Sequence, residues 1–465
     1  MQISSETLVS LLTRVDLFLW GKVLIFLLVL LGLFLTIRLK GMQFRYLIYS
    51  LKLAFFRKDD KAQGDVSHFQ ALMTALAATL GIGSIAGVAT AVVAGGMGAI
   101  FWMWVIALLG MVTRFSESLL AIKYRIRDRR QEMCGGPMYY IERGLGWKWL
   151  ASAFAFFGAL SAFAGGNMTQ SNSIAYALYD LLLFPHLWTG IVLTALTALV
   201  LLGGIKSIGK VCAYLVPFMA LFYFLGGILI LGASLPKLPA VFWHIFRTAF
   251  TGQAAVGGFL GSTVMTAIQL GVARGISSNE AGLGSAPIAA AAAKTDVPGR
   301  QALISMSGVF ISTIIMCTLT GLVIGVTDVL GSYDSRGFLL NGSPLVMQAF
   351  RSLFPGSEII VAVGLILFGY STIVGWAYYG EKCIEYLAGE RSIRFYRLLF
   401  CGFVLLGALL RMEIVWPLVD ILNGLMALPN LVALFFLSRV ITIESHHFFA
   451  FLKQEKSQAP FSSIL

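Results

Sequence analysis

Eleven runs of mostly apolar residues follow one another along this chain, most of them near the length of about 20 residues that crosses the hydrocarbon of a bilayer. They lie at about Lys22–Ile37, Phe69–Val93, Ile100–Ile122, Leu150–Leu181, Leu187–Leu202 and Val211–Leu231, then Ala254–Ala293, Ala302–Val326, Ile359–Leu387, Arg397–Leu410 and Ile414–Val440. The seventh is too long for one crossing, and glycines and Pro287 interrupt it. With 58% of 465 residues hydrophobic and only 12% charged, a water-soluble domain is excluded. The expected class is an all-α membrane protein with eleven transmembrane helices.

The charges set a topology. Arg38, Lys40, Arg45, Lys52, Arg57, Lys58 and Lys61 follow the first run, and only Arg14 precedes it. The positive-inside rule therefore places the amino terminus outside and this loop in the cytoplasm. Lys123 to Lys148 form a second basic loop two crossings later, and the carboxyl terminus comes out cytoplasmic. The formal charge of +12 is thus a matter of topology, with the lipid bilayer as partner and no nucleic acid. Glu6, Arg14 and Asp16 interrupt the first twenty residues, unlike a cleavable signal peptide. The five cysteines and five histidines show no metal spacing or nucleophile–base pattern, so neither an enzyme nor a bound cofactor is expected.

Within the second run the string Thr79-Leu80-Gly81-Ile82-Gly83-Ser84-Ile85-Ala86-Gly87 places three glycines in seven residues. Each glycine costs a helix interior about 1 kcal/mol against alanine. An unwound turn at membrane depth survives only where protein or a water-filled cavity meets its backbone groups. Close helix packing through small residues is the plainer explanation of such a cluster taken alone. If the first helix is an extra, ten remain as two sets of five, and an odd number per set inverts one against the other. Residues 1–66 then hold the extra helix and a basic loop, and 67–233 the first five helices. An external interfacial segment occupies 234–253, the second five 254–441 and a cytoplasmic tail 442–465. The first helix of the second set carries its own glycine-rich stretch, Gly271 to Gly284. Matching interruptions in two halves point to the central site of a transporter.

Several strings extend the case: Ile85-Ala86-Gly87-Val88-Ala89-Thr90-Ala91, Phe101-Trp102-Met103-Trp104, Gly135-Gly136-Pro137-Met138-Tyr139-Tyr140 and Ser278-Asn279-Glu280-Ala281-Gly282-Leu283-Gly284-Ser285-Ala286-Pro287-Ile288. With Gly166-Asn167-Met168 through Ile174 and Ser371-Thr372-Ile373-Val374-Gly375-Trp376, they closely resemble the alanine or glycine:cation symporters from about Phe69 to Leu387. The resemblance implies a leucine-transporter-like fold, a 5+5 inverted repeat after one extra N-terminal helix. It also implies sodium-coupled uptake of small neutral amino acids across a bacterial or archaeal plasma membrane, with Na+ as the coupling ion.

A zwitterion needs donors for its carboxylate, and backbone N–H groups at an exposed half-helix start supply them. Gly83, Ser84 and Ile85 are expected in that role, with Ile82 in the same turn. Carbonyls near Gly271 and Gly275 and the side chain of Gln170 are expected to receive the ammonium. The resemblance places sodium among carbonyls around Gly81 and Ser84 and the hydroxyls of Ser371 and Thr372. It also maps the side-chain pocket onto Thr372, Trp376 and Gln170, with the indole as a bulky wall. Phe163 and Tyr370 are expected near the site as a lid.

The chain departs from the family pattern at four positions. Ile82 stands for the usual Thr, Ser84 for Asn, Ala290 for His and Ser277 for Phe. The first two fall in the presumed binding turn, so a proton-coupled carrier of another small amino acid and a non-transporting sensor stay open as alternatives. Among intramembrane charges, Arg114 and Glu117 are expected to neutralise each other on one helix face. Glu280, Asn279 and Arg274 are expected at the cytoplasmic end of the second broken helix, and Asp420 against the scaffold.

Overall fold

The computed structural model describes residues 5–56, 62–252, 262–334, 337–410 and 415–458. The expected start of the second half at 254, Arg57, Lys58 and Lys61, Ile414, and the end of the tail lie outside the described residues.

Among the described residues the regular elements are helices and one two-stranded hairpin. In order it runs through α1 (Leu11–Arg38), α2 (Met42–Phe56), α3 (His68–Thr79), α4 (Ala86–Gly95) and α5 (Gly98–Lys123). The hairpin strands β1 (Ile126–Arg127) and β2 (Met133–Cys134) come next. They lead to α6 (Pro137–Leu145), α7 (Lys148–Leu182), α8 (His186–Leu202), α9 (Gly204–Ala233) and α10 (Leu238–Thr251). The second half holds α11 (Val264–Asn279), α12 (Pro287–Ala291), α13 (Pro298–Thr327) and α14 (Gly342–Leu353). It closes with α15 (Glu358–Ala388), α16 (Ser392–Leu409), α17 (Val415–Phe436) and α18 (Ser438–Gln458).

Eight helices among the described residues are long and apolar enough to cross a membrane. The other three expected runs take a different form: α8 is shorter, and the second and seventh are each split, into α3–α4 and α11–α12. The segment expected at the interface is largely the helix α10, which buries Val241, Ile245 and Ala249 and exposes Trp243.

Both splits have local causes. α3 starts on a reciprocal cap, in which Ser67 Oγ accepts from Gln70 N at 3.1 Å and Gln70 Oε1 accepts from Ser67 N at 3.0 Å. It ends where Leu80 leaves helical dihedrals and Gly81 extends, at φ −94° and ψ −166°. α11 starts on Thr263, whose Oγ1 accepts from Thr266 N at 3.1 Å. It ends at Glu280, whose φ of +54° is left-handed. Gly284 follows at φ +82°, and a Cβ there would meet Pro137 Cγ at 2.6 Å.

The location of the second split corrects the expectation. Gly271 and Gly275 lie inside the continuous helix α11. A Cβ on Gly271 would meet that of Trp102 at 2.7 Å, and one on Gly275 would meet Ile106 Cγ2 at 2.6 Å. Small residues four apart let α11 lie close against α5. Their packing holds the helix together, and unwinding waits until Glu280–Ala286.

Candidate functional site

The α3–α4 split opposes two helix ends. The last α3 hydrogen bond runs from Leu80 N to Leu76 O, so the Ala77 and Ala78 carbonyls lack an N–H from their own helix. α15 reaches them: Ser371 Oγ lies 3.1 Å from Ala77 O, and Thr372 Oγ1 lies 3.1 Å from Ala77 O and 3.5 Å from Ala78 O. Both hydroxyls also lie 2.9 Å from Phe368 O, their own helix's acceptor. On the other side of the turn, α4 begins at Ala86, and its first internal bond is from Ala89 N to Ile85 O. The Ala86 and Gly87 amides therefore have no acceptor in their helix. An oxygen-rich end and an amide-rich end thus face each other across one short turn.

They border a cavity of about 610 Å³. Gly81, Ile82, Gly83, Gln170, Thr372 and Trp376 line it. Gln170 Nε2 donates to Gly165 O at 3.1 Å, and its Oε1 has no hydrogen-bond partner among the described residues. That oxygen sits 3.6 Å from where a Gly81 Cβ would stand.

Six expected residues take other places. Ser84 N and Ile85 N donate back to Gly81 O and Ile82 O at 3.1 Å, closing a tight turn that leaves neither amide free. Ser84 is buried away from the cavity, with Oγ 3.2 Å from Ser278 Oγ and its carbonyl accepting from Thr320 Oγ1 at 3.0 Å. It therefore does not share a site with Ser371 and Thr372, whose carbonyl partners are Ala77 and Ala78. Gly271 and Gly275 are packing positions, as described above. Phe163 turns toward α16, with ring centroids 5.2 Å from Tyr396 and 4.8 Å from Phe403. Tyr370 likewise is not part of the cavity wall.

Three carboxylates and an arginine were not anticipated in the wall. Asp16, Glu280, Asp420 and Arg274 all line the cavity, with Arg274 Nη2 3.6 Å from Asp420 Oδ2. Asp420 therefore does more than touch scaffold. Arg274 and Glu280 share the cavity with residues 341–344. A carboxylate inside an apolar run is itself a functional signal. Which carboxylates meet is visible only once α1, α11 and α17 pack together.

Arg114 and Glu117 do pair, at 4.0 Å, and they also brace the second split. Arg114 donates to Asn279 O, and Glu117 Oε1 accepts from Gly282 N at 3.0 Å and Asn430 Nδ2 at 2.7 Å.

Arg125 lies just past the carboxyl end of α5. The Arg125 guanidinium donates to four carbonyls: Ala291 at 2.9 Å, Ala293 at 2.8 Å, Gln63 at 3.0 Å and Thr295 at 2.6 Å. Beside it, Asp65 N donates to Ala292 O and Lys294 N to Val66 O, both at 2.8 Å. Burial pulls the Arg125 pKa below its usual value and pushes that of Asp65 up. The segments that precede α3 and follow α12 are thus stitched together.

The model of the sodium:alanine symporter family matches residues 5–462. The chain belongs to the sodium:alanine symporter family. This symporter is 52% identical over 459 residues to the sodium/alanine symporter AgcS of Methanococcus maripaludis, covering 97% of this chain and 99% of that one. It is 50% identical over 448 residues to an uncharacterized transporter of Haemophilus influenzae, covering 96% and 97% of the two chains. Its fold is similar to that of a manganese transporter of Eremococcus coleocola, with a TM-score of 0.54 at 16% identity over 80% of each chain. The protein is therefore a multi-pass membrane transporter, a sodium-coupled amino-acid symporter.

Proposed function

We propose that this symporter carries small neutral amino acids of the alanine and glycine type into the cell with Na+, by alternating access. The observation that carries the proposal is the opposition of two helix ends at Gly81–Ser84. The amides of Gly83, Ala86 and Gly87 receive the substrate carboxylate, helped by the positive end of α4. Gln170 Oε1, whose lone pairs are unmet among the described residues, receives the ammonium. Sodium takes the Ser371 and Thr372 hydroxyls with the Ala77 and Ala78 carbonyls, after those hydroxyls turn their protons away. Trp376 limits the side chain. AgcS, a sodium/alanine symporter by name, supports the choice of substrate.

The framework is proposed as eleven crossings with the amino terminus outside and the carboxyl terminus cytoplasmic. Ten of them form a leucine-transporter-like 5+5 inverted repeat. The cavity reaches Asn341–Pro344 and does not extend to Arg125, which in that topology is read as an outward-facing state. One Na+ moving through 100 mV and down a tenfold gradient supplies about 3.7 kcal/mol, enough to concentrate a neutral solute several hundredfold. The test is uptake of labelled alanine by proteoliposomes. Accumulation only under an inward sodium gradient supports the proposal. Accumulation driven equally by a proton gradient, or binding without flux, contradicts it.

A further inference from the structure

Glu280 is only 4% exposed, yet it borders the cavity and has no part in the sites proposed above. It ends α11 with a φ of +54°, where helices ordinarily place glycine or asparagine. A carboxylate at such a position needs a reason, and its two oxygens supply one. Oε1 accepts the indole N–H of Trp376 at 3.0 Å, and Oε2 accepts the Ser285 hydroxyl at 2.5 Å. Among the described residues no lysine or arginine lies within ion-pair distance of it. The carboxylate is held by neutral donors, and one of them belongs to the size-limiting wall.

The indole is otherwise held only by shape. Gly166 backs onto it so closely that any Cβ there would collide with the ring. Tyr379 meets it edge-on at 5.5 Å. An indole has one polar handle, and buried tryptophans satisfy it. Here the acceptor sits on the second split helix, so the wall's position depends on that segment as well as on α15.

We propose that Glu280 is the positioning residue that fixes the Trp376 indole and thereby sets the upper size of the transported side chain. The proposal rests on reading the cavity as the amino-acid site. The test is competition by unlabelled alanine, valine and leucine against sodium-driven uptake of labelled alanine in proteoliposomes, for wild type, E280A, E280Q, W376F and the E280A/W376F pair. E280A is expected to lower the half-inhibiting leucine concentration about tenfold relative to that of alanine, the scale on which a pocket discriminates a methylene group. E280Q keeps an acceptor oxygen for the indole and should retain the wild-type order. W376F should broaden the profile, and the double variant should add nothing further.

Failure of the wild type to accumulate alanine would overturn the functional reading and the proposal with it. Wild-type accumulation together with an unchanged profile in E280A, or an E280Q as broad as E280A, would overturn the role of Glu280 alone. Should E280A fail to reconstitute, E280Q and W376F decide: a narrow profile in the first with a broad one in the second supports the role, and matching profiles overturn it.

Discussion

A side chain on Gly81 would begin 2.7 Å from Thr372 Oγ1. The hydroxyl thus occupies the space that only glycine leaves open, and the turn after α3 is shaped around α15. Gly81→Ala should displace the hydroxyl and cut sodium-driven alanine uptake by about tenfold or more, equivalent to about 1.4 kcal/mol. Uptake at fixed sodium, normalised to folded protein in the liposomes, checks this.

Thr372→Val keeps the shape and removes the oxygen. Substrate contacts elsewhere are untouched, so the change should fall on the ion. The sodium concentration giving half-maximal uptake should rise about tenfold, while saturating sodium restores most of the rate. A sodium titration of wild type and variant measures it.

Much of this site was legible in the chain and some was not. Gly81 and Gly83 announced a break because three glycines within seven residues weaken a helix interior. Gly271 and Gly275 looked similar but serve packing, since they are four apart and meet α5. The true second break is fixed by Glu280, a residue type that does not signal a left-handed turn. Ser84 and Ile85 missed the cavity because a tight turn spends their amides internally, a choice the string of residues does not reveal. Asp16 and Asp420 are 404 positions apart and meet Arg274 across one cavity only through packing.

Arg125 is expected to hold the far end closed. Removing its guanidinium strands four carbonyls, and an unmet buried acceptor costs about 1–3 kcal/mol. Arg125 is partly exposed, so water will satisfy some of them. Arg125→Ala should lower the melting temperature of the detergent-solubilised protein by several degrees, and Arg125→Lys, which cannot fork to four acceptors, should recover only part. Thermal unfolding followed by intrinsic fluorescence reads both.

Burial pushes the Cys134 thiol up to about 12, against the pull of the Lys382 ammonium 3.3 Å away. The folded state therefore holds this proton more tightly than the unfolded chain does. The resulting stability is complete below the ordinary thiol value of 9.0 and is lost as pH rises from there toward about 12. Cys134→Ala should flatten the fall in thermal stability between pH 8 and pH 10. Melting curves at the two pH values, compared with wild type, check this.

The central claim is that one split helix holds the amino acid and its ion side by side. Equilibrium binding of labelled alanine to the purified protein, titrated at several sodium concentrations, addresses it most directly. Adjacent sites require reciprocity: sodium should tighten alanine, and alanine should tighten sodium by the same factor. Alanine affinity that does not change between sodium-free and sodium-saturated buffer would contradict the shared site.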